Sequence, residues 1–217
     1  MSFGSQSLMC SSQIIELALG LEASGKPFLW VLKLPAASDH ENNPTIDGFC
    51  RRTEQQGRIV SGCRIVSGWT DQLAILSHPS VGAFISHCGW NSTLEAMCSG
   101  VPLVCWPLFA DDQHFNARFI VDEAKVGIEV VKREEDQMVT RDEIQKSVRT
   151  LMDDDQYSGD HERVKSLKEN CKKLKELAKK AVSEDGSSSK NFNMVVEYIL
   201  SLQNKNKKRE PPSNPCM

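Results

Sequence analysis

The feature that most constrains the fold is a set of short apolar runs separated by segments of helical periodicity. The runs stand at residues 27–34 (PFLWVLKL), 83–86 (AFIS) and 101–106 (VPLVCW). Each is short enough to be a strand that is buried on both faces of a sheet. Strands that alternate with helices are typical of βαβ units, whose strands run parallel. The sequence therefore predicts an α/β protein whose ligand binds beyond the carboxyl ends of the strands.

Helices are predicted on both sides of this region. Residues 11–24 place Ile14, Leu17 and Leu21 at helical spacing, after serine caps and before Gly25. Thr140 and Glu143 form a capping box, which predicts a helix start there. A helix rich in lysine and glutamate follows at residues 161–182, and a last amphipathic helix is predicted from serine caps at residues 187–189 through 202.

The sequence predicts one domain followed by a C-terminal tail, and it contains one short internal repeat. Residues 1–203 are expected to form one domain, and residues 204–217 (NKNKKREPPSNPCM) a disordered basic tail. The pentapeptide RIVSG occurs at residues 58–62 and again at residues 64–68. Structural repeats normally run about 20 residues or more, so a tandem duplication within a strand-forming segment explains it better.

Composition excludes several classes of function. A formal charge of −3 offers no electrostatic attraction to nucleic acid or to an anionic membrane. The first residues lack a signal peptide, and no apolar stretch reaches the roughly 18 residues of a membrane span, so we expect a cytoplasmic protein. The eight cysteines are irregularly spaced and form no C-x2-C pair, which favours reduced thiols and no metal site.

The densest chemical signal is the hexapeptide HCGWNS at residues 87–92, which follows one predicted strand and precedes a helix expected from Thr93. A loop that contains glycine and leads into a helix N-terminus binds anions, because unpaired N–H groups and the helix dipole face the ligand. His87, Asn91 and Ser92 add polar side chains beside it. The sequence predicts a diphosphate site at this loop.

Local helix capping offers an alternative interpretation of two positions. Ser92 with Glu95 fits a capping box, S-T-L-E, that serves only its own helix. Asp112 likewise fits a helix N-cap ahead of Phe115 and Phe119. A cap and a ligand-binding role can coexist in the same residue.

The wider pattern resembles the signature of plant family 1 UDP-glycosyltransferases, the secondary-product glycosyltransferase signature. Its elements are W-x-x-Q at residues 69–72, I-L-x-H-P-S-V-G-x-F at 75–84, H-C-G-W-N-S-T-L-E at 87–95, G-V-P at 100–102 and D-Q at 112–113. The resemblance extends upstream to S-F-G-S at residues 2–5 and downstream to K-V-G at 125–127. It implies a Rossmann-like sheet flanked by helices, the C-terminal half of a GT-B glycosyltransferase, with a helical C-terminal segment.

The resemblance assigns the nucleoside to three residues. Trp69 would stack on uracil, Gln72 would lie along the uridine, and Glu95 would accept hydrogen bonds from the ribose hydroxyls. Stacking is physically apt, because a flat aromatic face binds a base with about 1–3 kcal/mol.

The same resemblance assigns the two phosphates to His87, Asn91 and Ser92. Backbone N–H groups near Gly89 and the hydroxyl of Ser5 would complete this subsite. Neutralising the phosphate oxygens stabilises UDP as it leaves, which assists the transition state directly.

For the sugar, the resemblance implies that Asp112 and Gln113 bind its hydroxyl groups. Trp90 and Gln113 are the residue types associated with glucose in this family.

The match has two local departures. Thr70 and Asp71 stand where the family has Ala or Ser followed by Pro, and the segment at residues 107–113 (PLFADDQ) is one residue longer than usual. Asn116 keeps the family's distance from Gln113, so the extra residue lies just before Asp112. One extended residue can move a sugar-binding carboxylate by up to about 3.3–3.6 Å.

The family's activity follows as an expectation. Relatives of this kind transfer glucose from UDP-glucose to a hydroxyl of a small plant metabolite, such as a flavonoid, with inversion and with no metal or cofactor. Their catalytic histidine lies in an N-terminal acceptor domain, which we expect to be absent here, so no catalytic residue is predicted. The alternatives are a catalytically inactive UDP-sugar-binding module and a degraded gene product whose exposed apolar face makes it unstable.

Overall fold

The computed structural model of the protein describes residues 1–3, 9–31, 48–49, 52–53, 63–66, 70–108, 110–153 and 159–207. The chain divides into two compact units, of which the first ends at Leu174 and the second begins at Lys175. The described strands and the candidate site belong to the first unit. None of the described helices combines the length and apolar character that a membrane span requires.

Five parallel strands lie within the described residues. They are β1 Phe28–Val31, β2 Cys63–Val66, β3 Phe84–Ser86, β4 Leu103–Cys105 and β5 Gly127–Glu129. β1 pairs with β2, and β4 pairs with both β3 and β5. Ser2 forms parallel bridges to Val31 and to Ser86, so the segment that contains it joins the two sets. The resulting order, β2–β1–Ser2 segment–β3–β4–β5, is the 3-2-1-4-5-6 order of the Rossmann fold.

The helices confirm most of the predicted segments. They are α1 Ser11–Ser24, α2 Gln72–Leu76, α3 Trp90–Ser99, α4 Asp111–Arg118, α5 Arg141–Met152, α6 His161–Val182 and α7 Ser187–Lys207, and a π-helical turn at Phe119–Glu123 continues α4. α7 runs past the predicted end, so residues 204–207, expected in the disordered tail, are helical. Residues 208–217 lie outside the described residues.

The strands confirm the predicted apolar runs but are shorter. β3 and β4 are buried along their whole length, as expected for a parallel sheet covered on both faces. In the third run only Leu103, Val104 and Cys105 pair with both β3 and β5, so β4 covers three of the six residues predicted. Of the duplicated RIVSG segment, β2 contains the start of the second copy, and the first copy lies outside the described residues.

The structure confirms the predicted end of helix α1 but not its predicted serine caps. Gly25 follows its last residue with φ of 66°, a left-handed conformation that glycine adopts freely, so the predicted end is confirmed. The predicted serine caps are wrong, because Cys10 is the N-cap and makes no side-chain capping bond. Ser11 and Ser12 lie inside the first turn instead.

α1 packs closely against α5. The approach depends on Gly20, because a Cβ atom there would lie 2.7 Å from the carbonyl oxygen of Arg141 and 2.7 Å from Cβ of Ile144. The buried amide of Gln13 bonds both backbone groups of Val139, donating at 2.8 Å and accepting at 2.9 Å. Glu16 pairs with Arg141 at the first turn of α5. The two helices are therefore held by polar contacts on both sides of an apolar centre.

The predicted cap of α5 is confirmed in one half. The Thr140 hydroxyl accepts a bond from the backbone N–H of Glu143 at 3.3 Å. The Glu143 carboxylate does not return to Thr140 but accepts from the N–H of Val131 at 3.1 Å. It thus ties α5 to the chain that leaves β5.

Candidate functional site

The strand order places a crevice at the carboxyl edge of the sheet. The order reverses between the Ser2 segment and β3, so the connections from these two neighbours leave on opposite faces. Ligands of doubly wound folds bind at this switch point. The loop that follows β3 begins with His87, so the predicted diphosphate loop lies at the position that the topology favours.

The β3–α3 loop has an unusual backbone at Cys88. Its φ is 65°, a left-handed conformation that is uncommon for a residue with a side chain. The Cys88 N–H donates to the Ser86 hydroxyl at 3.2 Å, and its carbonyl accepts from the Asn116 amide at 2.8 Å. The thiol is completely buried. These contacts hold the strained residue and turn the chain sharply into α3.

Helix α3 begins at Trp90, three residues before the predicted start at Thr93. Its N-cap is Gly89, which supplies no side-chain capping bond. Ser92 therefore lies in the first turn, and the interpretation of Ser92 and Glu95 as a capping box is wrong. The first-turn N–H groups, including those of Asn91 and Ser92, are left without a side-chain cap, as an anion site requires.

Gly89 also makes room for the His87 ring. A Cβ atom at position 89 would lie 2.5 Å from Nε2 of His87. The ring therefore lies directly over the backbone that starts α3. Its other nitrogen, Nδ1, is buried and has no hydrogen-bond partner among the described residues.

The electrostatics of His87 favour a neutral ring. Burial lowers its pKa, while the backbone of Ser2 and the carboxylate of Asp112 act in the opposite direction. Three chain segments therefore meet at this histidine: the Ser2 segment, the end of β3 and the start of α4.

We expect His87 to make stability depend on pH. The unfolded chain takes up a proton on this ring as the pH falls through about 6.5, whereas the folded protein resists protonation until its lower pKa is reached. The free energy of unfolding should therefore decrease as the pH falls from 6.5 towards the folded pKa. Urea unfolding of the wild type and of His87→Gln between about pH 7.5 and 5 measures this contribution by difference. Equal pH dependence in both proteins would contradict it.

Two residues predicted for the nucleoside, Gln72 and Glu95, and one predicted for the phosphates, Ser92, form a hydrogen-bonded cluster. Nε2 of Gln72 donates to the Ser92 hydroxyl at 3.0 Å and to Oε2 of Glu95 at 2.7 Å. All three side chains are partly exposed. Within the described residues, Oε1 of Glu95 accepts no hydrogen bond and remains free for a ligand.

One departure from the family pattern has a structural role here. The Asp71 carboxylate accepts from the N–H of Ala74 at 2.9 Å and is the N-cap of α2. The short helix starts at Gln72 and thereby directs the Gln72 side chain towards α3. As the N-cap, Asp71 therefore fixes the residue at which α2 begins.

The predicted sugar residues lie at the start of α4. Asp112 is exposed inside the first turn, and the N-cap is Ala110, so the N-cap interpretation of Asp112 is wrong. Gln113 is only 6% exposed, and its Oε1 accepts from the N–H of Leu108 at 2.9 Å. The carbonyl side of this amide is thus used within the protein, and Nε2 is the side that remains for a ligand.

Trp90 is prominent at the opening of the crevice. It is 46% exposed and contacts Phe119, with ring centroids 6.1 Å apart. Asn91 is exposed beside it. Trp69 and Ser5 lie outside the described residues, so their predicted roles stay predictions.

Several residues that shape the site were not predicted. Ser86 and Asn116 hold the backbone of Cys88, and Lys132 bonds the loop ahead of α4. Asn116 had a visible signal, since it stands one helical turn after Gln113. No signal in the sequence pointed to Lys132, because its bond to the Pro107 carbonyl depends on how β5 lies beside β4. Among the described residues no cluster of three or more His, Cys, Asp or Glu side chains could hold a metal ion.

Comparison with known proteins agrees with this geometry. The sequence model of the UDP-glucoronosyl and UDP-glucosyl transferase family matches residues 1–182. The chain is 38% identical to UDP-glycosyltransferase 73D1 of Arabidopsis thaliana, over 92% of this chain and 41% of that protein. It is 42% identical to the chloroplastic crocetin glucosyltransferase of Gardenia jasminoides, over 90% of this chain and 38% of that protein.

Solved structures of plant glycosyltransferases share the fold. Phytolacca americana UGT2, complexed with UDP-2-fluoro-glucose and pterostilbene, has a TM-score of 0.73 and 36% identity over 91% of this chain and 40% of that chain. Glycyrrhiza uralensis UGT73P12, complexed with glycyrrhetinic acid 3-O-monoglucuronide, has a TM-score of 0.80 and 32% identity over 95% of this chain and 42% of that chain.

The chain spans about two fifths of the length of these relatives. Its fold is an α/β, Rossmann-like half of the GT-B architecture found in the structural relatives. The family match covers most of the chain and includes the β3–α3 loop and the Gln72 cluster. The chain therefore belongs to the UDP-glucoronosyl and UDP-glucosyl transferase family.

Proposed function

We propose that this chain binds UDP-glucose as the donor of a plant glycosyltransferase reaction, in which glucose passes to a hydroxyl of a small metabolite. The observation that carries the proposal is the β3–α3 loop. It combines a helix start that lacks a side-chain cap with the His87 ring, which lies against Gly89 at that start. Both features suit a diphosphate at the switch point of the sheet.

The phosphate subsite needs no metal in this proposal. The positive end of the α3 dipole and the first-turn N–H groups offset part of the diphosphate charge. His87 donates a hydrogen bond through whichever nitrogen carries the proton, and Asn91 and Ser92 add side-chain donors. These groups stabilise UDP most strongly when the bond to the sugar breaks and negative charge builds on the leaving oxygen.

The nucleoside subsite is supported by the Gln72 cluster. Gln72 holds Oε2 of Glu95 and leaves Oε1 free, so the carboxylate is oriented before a ribose binds. A preoriented acceptor loses less entropy on binding. We propose that Glu95 accepts the ribose hydroxyls and that Trp69 stacks on the uracil ring.

The sugar subsite is proposed at Asp112, Gln113 and Trp90. The Asp112 carboxylate accepts from sugar hydroxyls, and Nε2 of Gln113 donates to them. UGT2 of Phytolacca americana was solved with UDP-2-fluoro-glucose, which supports glucose as the sugar proposed for this chain.

In the proposed reaction, the acceptor oxygen forms a bond to the anomeric carbon while the bond from that carbon to the UDP oxygen breaks. The configuration inverts, and a base takes the acceptor proton. None of the described histidines forms a salt bridge with a carboxylate that could orient it as the base. Nδ1 of His78 accepts from the N–H of Ser80 at 3.2 Å, which commits that ring to its own turn. We therefore place the base outside the described residues.

Titration of the purified chain with UDP in a calorimeter tests the proposal. UDP should bind, and ADP, which carries a larger purine in place of the uracil proposed to stack on Trp69, should bind at least about tenfold more weakly. Trp69→Ala should weaken UDP binding about tenfold, within the range of one base stacked on an aromatic ring, while Trp69→Phe keeps the stack. Unchanged affinity in Trp69→Ala would contradict the stacking assignment, and absence of UDP binding would contradict the function.

A UDP-sugar-binding module without turnover is the second candidate. One observation favours it: none of the described histidines forms a salt bridge with a carboxylate. This candidate expects UDP binding but no glucoside from UDP-glucose and quercetin. Formation of a glucoside by this chain would instead support the complete reaction. A chain that aggregates on expression and does not bind UDP would indicate a degraded gene product.

A further inference from the structure

A single peptide group ahead of α4 is held from both sides by side chains. The Nζ atom of Lys132 donates to the Pro107 carbonyl at 2.6 Å. The N–H of Leu108 donates to Oε1 of Gln113 at 2.9 Å. This carbonyl and this N–H belong to the same planar peptide unit, so the two bonds together fix its position and its tilt.

Lys132 reaches this peptide because of the sheet. The N–H of Val130 donates to the Cys105 carbonyl at 3.0 Å, which keeps the chain beyond β5 alongside the end of β4. Two residues later, the Lys132 side chain extends over the segment that leaves β4. It is partly buried, and burial lowers the pKa of its ammonium group, while the charge of Glu129 acts in the opposite direction. A charge in such a place needs a strong acceptor, and the Pro107 carbonyl provides it.

The segment held in this way carries the proposed sugar residues. It leaves β4 at Cys105 and enters α4 at Asp111, so its course determines where Asp112 and Gln113 stand. Gln113 is tied to the held peptide directly through its own side chain. A tilt of the peptide would move the Gln113 amide, whose Nε2 is the group left for the sugar.

We propose that Lys132 is a positioning residue for the sugar subsite, which fixes the β4–α4 segment so that this chain recognises the glucose of UDP-glucose in addition to UDP. This inference rests on the proposed donor-binding function. The residues proposed for the nucleoside and the phosphates lie on α2, α3 and the β3–α3 loop, and among the described residues none of their hydrogen bonds involves the held peptide or Lys132. Loss of Lys132 should therefore affect the sugar far more than UDP itself.

Hydrogen exchange tests the structural half of the proposal without any ligand. In Lys132→Met, the Leu108 amide should exchange about tenfold faster than in the wild type, the change expected for loss of one bond to a charged group. Lys146→Met makes the same chemical change at an exposed lysine of α5 and should leave this amide unchanged. Lys132→Arg keeps a cationic donor and should restore most of the protection. Equal exchange in Lys132→Met and the wild type would overturn the proposal.

Calorimetry with two ligands tests the functional half. In Lys132→Met, the dissociation constant for UDP-glucose should rise about tenfold and that for UDP less than about twofold. Lys146→Met should change neither, and Lys132→Arg should recover most of the UDP-glucose affinity. A parallel loss for both ligands would assign Lys132 a general structural role and overturn the proposal. If the wild-type chain bound neither ligand, the donor-binding function would fall, and faster Leu108 exchange in Lys132→Met would still show the contact on its own.

Discussion

Replacing Glu95 with alanine should weaken UDP binding more than a hundredfold. The carboxylate is oriented by Gln72 at 2.7 Å and keeps its other oxygen free for the ribose hydroxyls. Hydrogen bonds to a charged group contribute about 1.5–3 kcal/mol each, so the loss of two is expected to cost about 3 kcal/mol or more. Alanine also removes one of the two acceptors of the Gln72 amide and leaves it only the Ser92 hydroxyl. Isothermal titration with UDP measures the effect directly.

Two further variants separate the possible causes of this loss. Glu95→Gln keeps the size of the side chain but removes its charge, so it should bind UDP with intermediate affinity. Glu162→Ala removes an exposed glutamate from the first turn of α6 and should leave affinity unchanged. If Glu95→Ala bound UDP within about threefold of the wild type, the ribose would have to be recognised by other residues.

Gly20→Ala should destabilise the fold by about 2–3 kcal/mol, the upper range for adding a methyl group to a packed interface. The direction of this change is informative, because alanine in place of glycine within a helix normally stabilises the helix by about 0.5–1 kcal/mol. Here the new Cβ would lie 2.7 Å from a backbone carbonyl of Arg141, which cannot rotate away as a side-chain tip can. α5 would have to move outward, which would strain its bonds to Gln13 and Glu16.

Urea unfolding of Gly20→Ala and a matched glycine variant checks this expectation. At Gly159 an added Cβ meets no atom within 4 Å, so Gly159→Ala should be neutral or slightly stabilising. The difference between the two variants isolates the cost of the close helix contact from the effect of alanine on the unfolded chain. Equal stability of Gly20→Ala and the wild type would show that the α1–α5 spacing can widen at no cost.

Elements that depend on local sequence were predicted well. α6 has the predicted bounds, α1 ends at the predicted glycine, and β3 and β4 lie inside the predicted apolar runs. In each case the periodicity, the cap or the run of apolar residues is contained in neighbouring residues. The strand order could not be obtained in this way, because the bridges of Ser2 join residues that are distant in the chain.

The start of α3 shows why some boundaries were missed. The serine and glutamate of S-T-L-E have the spacing of a cap, yet both side chains bond Gln72 of another helix. The helix starts earlier because Cys88 adopts a left-handed conformation, which Asn116 and Ser86 support from outside the loop. Tertiary contacts thus determined a boundary that capping rules place elsewhere.

The sequence motifs did not indicate the hydrogen bonds that join some of the predicted site residues. The predicted residues Gln72, Ser92 and Glu95 do contact one another. Gln113 was expected to bind hydroxyl groups of the sugar, and its Oε1 accepts a bond from the N–H of Leu108 instead. Sequence motifs identify which residues matter to a ligand, and the packing of the chain decides which atoms are still free to bind it.

The central place of the Ser2 segment has a consequence for how the protein is made. This segment leaves the ribosome before both of its neighbours in the sheet, β1 and β3, and β3 begins only at Phe84. Until then Phe3, which ends against the edge of the Trp106 ring, has no aromatic partner to cover it. Parallel strands that meet across long stretches of chain form slowly. The Ser2 segment therefore keeps its β3 side open until Phe84 to Ser86 have been added, and exposed apolar surface in such an interval promotes aggregation.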